Sequence, residues 1–301
     1  MGSREMPADE FDTIARLFRP LTRGAEEALE LLDDAAALPG RPGFDLVVTK
    51  DAMVEGVHFL PEDPLDLVAR KLLRVNLSDL AAKAAEPYGY FLAVGWPERC
   101  GWPQRELFAK GLAKDGETFN LTLLGGDTTS TAGPLWASFT MLGWVPAGEM
   151  VKRSGARPGD LLCVSGAIGK GLLGLKAARG ELDAPDLAQH YRCPDPRLDL
   201  RATISGLNAA ADISDGLLAD AANIARASGC RAVVNLDKVP FAGEGDPLAL
   251  ATGGDDYEIV CAARTCPPGF SVVGAFEAGE GIVVTLNGRT LEPQTLGYRH
   301  R

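Results

Sequence analysis

"SGAIGKGLLGLKAARGELDAPDLAQHYRCPDP", residues 165–196, decides the fold class. Gly169, Gly171 and Gly174 fit the spacing G-x-G-x-x-G after the apolar run "LLCVSG" and ahead of a helix-forming stretch, as in a dinucleotide-binding unit. Such a unit continues into a second apolar strand ending in an acid that holds a ribose. Here the helix is followed only by "ELDAPDLAQHYRCPDP", which carries no such strand. It is no Walker loop either, because Lys170 is followed by Gly171 and the glycine spacing is too short. These glycines are read as allowing a tight turn and close helix packing.

Working outward, strands and helices are mixed without a regular strand–helix–strand beat, so the expected class is α+β. Before this stretch, residues 10–21 have helical apolar spacing, 45–49 and 90–96 read as strands, and 63–87 as one or two helices. Residues 103–119 read as a helix. "LTLLGG" and 135–145 read as strands on either side of a Gly-Asp-Thr loop. After it come a polar stretch over 191–200, helices around 198–210 and 217–228, and strands near 232–235, 257–262, 270–275 and 282–286. A chain of 301 residues exceeds what one core usually serves. The texture changes at "PAGEMVKRSGARPGD" (146–160), rich in Gly, Pro and charge. Two α+β domains are expected, 10–147 and 148–301.

The 30 basic and 41 acidic residues give a net charge of -11. No basic run is available for nucleic acid or an anionic membrane, so an anionic ligand would need cations to mediate it. No apolar run approaches the ~20 residues of a membrane span. Six scattered cysteines without a CxxC pair read as a reduced, cytoplasmic protein.

The acids are placed in a repeated way. Asp34, Asp51, Asp79, Asp127, Asp212 and Asp215 each stand beside an apolar segment, with Ala, Gly, Ser or Thr next to them. Singly, each has an ordinary reading: a helix cap at Ser214 or Asp215, a solvated turn at Asp33-Asp34, a loop residue at Asp127. Together they are harder to dismiss, because an uncompensated carboxylate near a core is costly and basic side chains other than Lys50 are scarce nearby. Hard divalent cations compensate such groups. Mg²⁺ takes about six oxygens, some supplied by bound phosphates. With three histidines and no Cys/His spacing, zinc is disfavoured.

In this order, "EFDTIARLF", "DDAA", "TKDAMVEGVHF", "NLSDLAAKAAEP", "LLGGDTT", "VKRSGARPGD", "DISDGLLAD" and "GGDDYE" closely resemble the thiamine-monophosphate kinase family. That family belongs to the superfamily of aminoimidazole ribonucleotide synthetase and selenophosphate synthetase. The resemblance runs from about residue 10 to 300. It implies transfer of the γ-phosphoryl group of ATP to thiamine monophosphate, a two-domain synthetase-like architecture, and a homodimer paired through the N-terminal domain.

By motif, Asp34, Thr49, Lys50, Asp51, Asp79, Asp127, Asp212 and Asp215 match positions that hold several Mg²⁺ ions. Gly126, Asp127, Arg153 and Ser214 match nucleotide-contacting positions, and His58, Asp255 and Tyr298 match positions touching the thiamine phosphate. No general base is implied. Lys50 stands where Thr is common, and its ammonium cannot ligate a metal, so it would either contribute its backbone carbonyl or take the place of one ion's charge. Asp255 replaces a customary Glu, Leu31-Leu32 replace a Gly-Ile-Gly run, and "GYRHR" replaces the commoner "GYDHF". The related synthetases differ: selenophosphate synthetase wants a reactive Cys near the N-terminus, whereas the first here is Cys100, and the hydrogenase-maturation relative wants a C-terminal Cys.

Overall fold

The computed structural model describes residues 10–299; His300 and Arg301 lie outside the described residues, as do residues 1–9. The chain forms two compact units, one of residues up to Leu77 with Glu86–Pro146, the other of Ser78–Ala85 with Ala147 onward. Both mix sheets and helices, so the fold is α+β.

In the first unit, α1 (Glu10–Thr13) passes into a π-turn (Ile14–Phe18) and a 3₁₀ turn (Arg19–Thr22). The single helix expected over 10–21 is thus broken; Pro20, at the start of the 3₁₀ turn, lacks the N–H that a continuing α-helix needs. β1 (Phe44–Val54), β2 (Glu86–Pro97), β3 (Thr122–Thr131) and β4 (Trp136–Pro146) form a sheet in the order β1-β4-β2-β3, with only β2 and β3 parallel. The expected Gly-Asp-Thr loop is instead strand: β3 runs through Gly125, Gly126 and Asp127 because each pairs with β2.

α2 (Leu65–Ala82) and α3 (Trp102–Thr118) are locked together by Asp115, fully buried, which accepts from Arg70 at 3.0 Å and Arg74 at 2.6 Å. Burying this carboxylate unpaired would be prohibitive, so the two arginines are part of the fold. Trp96 of β2 meets Phe108 of α3 edge-on at 5.4 Å and donates to Thr128 of β3 at 2.8 Å. Strand β3, which carries Asp127, is thereby held to the core.

The second unit has seven strands: β5 (Leu161–Ser165), β6 (Ala209–Asp212), β7 (Arg231–Asn235), β8 (Ile259–Ala263), β9 (Phe270–Glu277), β10 (Gly281–Leu286) and β11 (Arg289–Leu291). Their order is β11-β10-β7-β9-β5-β8-β6, antiparallel except for β10 with β7. The helices are α4 (Lys170–Ala178), α5 (Pro185–Arg192), α6 (Arg201–Ile204), α7 (Leu217–Ser228) and α8 (Pro247–Thr252). α7 buries Leu217, Leu218, Ala221, Ile224 and Ala225, a spacing of one helical face, in a core shared with Leu162, Val164, Val260 and Phe276. The helix expected over 198–210 is not there: a 3₁₀ turn (Leu198–Leu200) and the short α6 lead into β6, where Ala209, Ala210 and Ala211 pair with Ala262, Cys261 and Val260.

Candidate functional site

In the first unit the site starts from a backbone constraint. Gly126 has φ +154°, and a Cβ there would lie 1.8 Å from the carbonyl oxygen of Leu92, so only glycine fits. The neighbouring Asp127 is exposed. It lines a cavity of about 440 Å³ together with Asp33, Asp34, Gly126, Phe18 and Leu124. Leu29, Glu30 and Leu31 lead towards Asp33 with φ of +49°, +58° and +52°. Three consecutive left-handed residues other than glycine are strained, and such strain concentrates at functional loops. Asp33 then accepts from the Ala35 amide at 3.3 Å, closing the turn that presents Asp34.

Thr49, Lys50 and Asp51 stand on β1, separated from β3 by β4 and β2. Lys50 donates through Nζ to Ser138 at 2.9 Å, and Ser138 donates to the Asp51 carbonyl at 2.9 Å. The Lys50 ammonium is therefore taken up by β4 hydroxyls. His58 accepts the Val54 amide at Nδ1, at 3.0 Å, which leaves a proton on Nε2. Its carbonyl accepts from the buried Lys71 at 3.0 Å.

In the second unit β6 ends at the buried Asp212, and Ile213–Gly216 turns into α7. Neither Ser214 nor Asp215 caps α7; its N-cap is Gly216, with no side-chain cap. Instead Asp220, fully buried, accepts through Oδ2 from the Ser214 and Asp215 amides, both at 3.2 Å. Its Oδ1 has no hydrogen-bond partner. Burial, with the charge of Asp215, pushes the Asp220 carboxyl up to about 7, against the charge of Arg153 and the two amides.

Lys83 sits near Asp212, Asp79 and Arg153, and donates to the Ala210 carbonyl at 2.8 Å. Burial holds the Lys83 amine below its usual range, with Asp212 opposing and Arg153 reinforcing that shift. The sequence reading that basic groups are scarce here is thus corrected: Lys83 and Arg153 supply two. Asp215, Asn223, Arg226 and Tyr298 line a cleft of about 690 Å³, and the Tyr298 amide donates to the Asp215 carbonyl at 2.9 Å.

The segment Gly253–Glu258 lies against the same turn. The Asp255 amide donates to the Ser214 carbonyl at 2.9 Å and the Tyr257 amide to the Ile213 carbonyl at 2.9 Å. Asp255 and Tyr257 have φ of +65° and +51°, and the Tyr257 hydroxyl donates to Asp255 Oδ1 at 2.9 Å.

Residues 32–145 match the model for the AIR synthase related protein, N-terminal domain, and 157–288 that for the C-terminal domain. A thiamine-monophosphate kinase of Caulobacter vibrioides is 54% identical, over 98% of this chain and 91% of that protein. The chain belongs to the thiamine-monophosphate kinase family. Within that family, the Stenotrophomonas maltophilia structure superposes with a TM-score of 0.80 at 33% identity, over 95% of this chain and 99% of the other. AaThiL complexed with AMPPCP and TMP superposes with a TM-score of 0.78 at 28% identity, over 87% and 89%.

The donor set of this thiamine-monophosphate kinase family member suits a hard cation. The acids named above offer carboxylate oxygens, and the orphaned Asp220 Oδ1 is a buried acceptor beside Asp215. Among the described residues no three His, Cys, Asp or Glu side chains are placed to hold a metal by themselves. Mg²⁺ suits that pattern, since it binds through one or two carboxylates and completes its shell with phosphate and water.

Four groups escaped sequence reasoning: Lys71, Lys83, Asp220 and Asp256. Asp220 carried one legible signal, an acid in the first turn of a helix. The others read as ordinary charged residues until folding buries them.

Proposed function

We propose that this chain transfers the γ-phosphoryl group of ATP to thiamine monophosphate, giving ADP and thiamine diphosphate. The reading is carried by the 54% identity across 98% of the chain to a thiamine-monophosphate kinase. The AaThiL complex with AMPPCP and TMP supports it.

Transfer is direct and in line, without a covalent enzyme intermediate. A phosphate monoester with a second pKa of about 6 is already largely dianionic at neutral pH, so no general base is needed. The difficulty is the meeting of two anions in a chain of net charge -11. Several Mg²⁺ ions would be held by Asp34, Asp51, Asp79, Asp127, Asp212 and Asp215, with the Thr49 oxygen and the Lys50 carbonyl. When bound they neutralise phosphate charge.

This chain's own residues do the rest. Gly126 brings backbone close to the nucleotide phosphates, Ser214 and Arg153 contact the nucleotide, and His58, Asp255 and Tyr298 hold the acceptor. The resemblance also supports a homodimer, and β1 is an edge strand with Leu46 and Val48 exposed on one face. No helix of the described residues is long and apolar enough to cross a membrane, and we place the enzyme in the cytoplasm. ADP release measured with and without thiamine monophosphate tests the reading. Strict acceptor dependence is expected; release at the same rate without acceptor would contradict it.

A further inference from the structure

We propose that Asp256 is a positioning residue that sets the acceptor end of the site by latching the Gly253–Tyr257 segment onto the first turn of α4. The proposal rests on the thiamine-phosphate reading above, in which Asp255 contacts the acceptor.

Asp256 is fully buried. Its carboxylate accepts the Gly169 amide at 3.0 and 2.9 Å through its two oxygens, and the Gly171 amide at 3.0 Å. These two amides open α4, where the N–H groups have no partner within the helix. The glycine-rich stretch that resembled a nucleotide loop is therefore satisfied by a side chain of the protein itself. Gly171 is obligatory here, since a Cβ would lie 2.1 Å from the Gly254 carbonyl oxygen.

A second latch reinforces the first. Glu258 accepts from Lys170 at 2.7 Å, from Ser165 at 2.6 Å and from Arg197. His190 Nε2 lies 3.2 Å from the Asp256 carbonyl oxygen. Between the two latches stands Tyr257, left-handed, with its hydroxyl on Asp255 Oδ1. Two residues other than glycine hold strained φ angles only where their surroundings over-determine them. Asp256 and Glu258 provide that over-determination, and what they fix is the direction of the Asp255 carboxylate. The nucleotide-facing turn at Ser214 has its own support in Asp220, so loosening Asp256 should act chiefly on the acceptor.

The test uses Asp256→Ala and Asp256→Asn in the full chain. Acceptor-dependent ADP release gives KM for each substrate, and hydrogen exchange reads the amides of 166–173. Asp256→Ala should raise KM for thiamine monophosphate by about 10-fold or more, as expected when buried donors lose their acceptor and a reacting group is misplaced. Asp256→Asn keeps one oxygen for Gly171 but sets an amide against the Gly169 N–H, so it should recover part of the loss and leave about a 3-fold rise. KM for ATP should stay within about 2-fold for both, while Gly169 and Gly171 exchange faster. Should the alanine variant fail to fold, the asparagine variant carries the test. An unchanged acceptor KM, or equal rises in both KM values tracking a loss of thermal stability, would overturn the proposal. A wild-type chain without acceptor-dependent ADP release would overturn the functional reading instead, and the acceptor role with it; the exchange data would still report the latch.

Discussion

The two units present their acids by different means. In the first, Asp34 and Asp127 are exposed and are aimed chiefly by backbone conformation: the Gly126 contact with Leu92 and the left-handed run at Leu29–Leu31, with one exposed side-chain bond from Asp33 to the Ala35 amide. In the second, two loops that carry candidate site residues are backed by fully buried carboxylates that accept backbone amides, Asp220 behind Ser214–Asp215 and Asp256 behind Asp255. Exposed acids keep their charge cheaply but gain little rigidity. Buried ones rigidify a loop at the cost of desolvation, which is why both carboxyls are pushed up to about 7.

The sharpest way to break this contrast is to neutralise one acid of the proposed metal set in each unit. Asp127→Asn and Asp215→Asn should each cost ~10²-fold or more in turnover with the circular dichroism spectrum unchanged, as for other preorganised electrostatic groups. Wild-type rates in both variants would remove the metal roles. Gly126→Ala should be severe in another way. Its Cβ collides with backbone, so destabilisation of about 3 kcal/mol or more is expected in urea melts, and a neutral result would show that the strand yields.

Asp220→Asn should mirror Asp256→Asn, raising KM for ATP by roughly 3-fold while sparing the thiamine phosphate. Matching profiles in the two variants would mean that the loops are not held independently. His58→Ala should raise KM for thiamine monophosphate more than that for ATP; equal effects would count against acceptor contact.

A smaller effect concerns pH. Asp256 titrates at about 7 when folded, raised by burial against the Gly169 and Gly171 amides, from a usual 3.8. Between these values the folded chain keeps a proton that the unfolded chain has released. The contribution of Asp256 to stability therefore falls as pH rises from about 4 to 7 and levels off above. Melting temperatures of wild type and Asp256→Asn should diverge across that window, and parallel curves would contradict the assignment.

Much of the fold was legible where local pattern and burial agree. Residues 217–228 read as a helix and form α7 over Leu217–Ser228, because one apolar stripe faces the core. Residues 103–119 read as a helix and form α3 over Trp102–Thr118. Reading failed where tertiary pairing overrides propensity. Ala209–Ala211 favour helix intrinsically, yet small side chains suit a strand buried against β8. Asp127 looked like a loop residue because two glycines precede it, but parallel pairing with β2 extends the strand past it.

At the site, the acids flanked by small residues stood out, since such neighbours leave room for backbone turns and ligands. Lys83, Asp220 and Asp256 did not. Asp220 meets amides only five and six residues before it, but Lys83 meets the Ala210 carbonyl, and Asp256 meets Gly169 and Gly171, across more than eighty residues. No local spacing encodes such a contact. Even the glycine-rich loop was readable only in part, as a tight turn, without the carboxylate that occupies it.

The fate of the terminal phosphate of ATP is the most direct test of phosphoryl transfer to the acceptor. With γ-labelled ATP, Mg²⁺ and thiamine monophosphate, the label should appear in thiamine diphosphate, and omission of either Mg²⁺ or acceptor should abolish transfer. Label released as inorganic phosphate at the same rate without acceptor, or label remaining covalently on the protein, would contradict it.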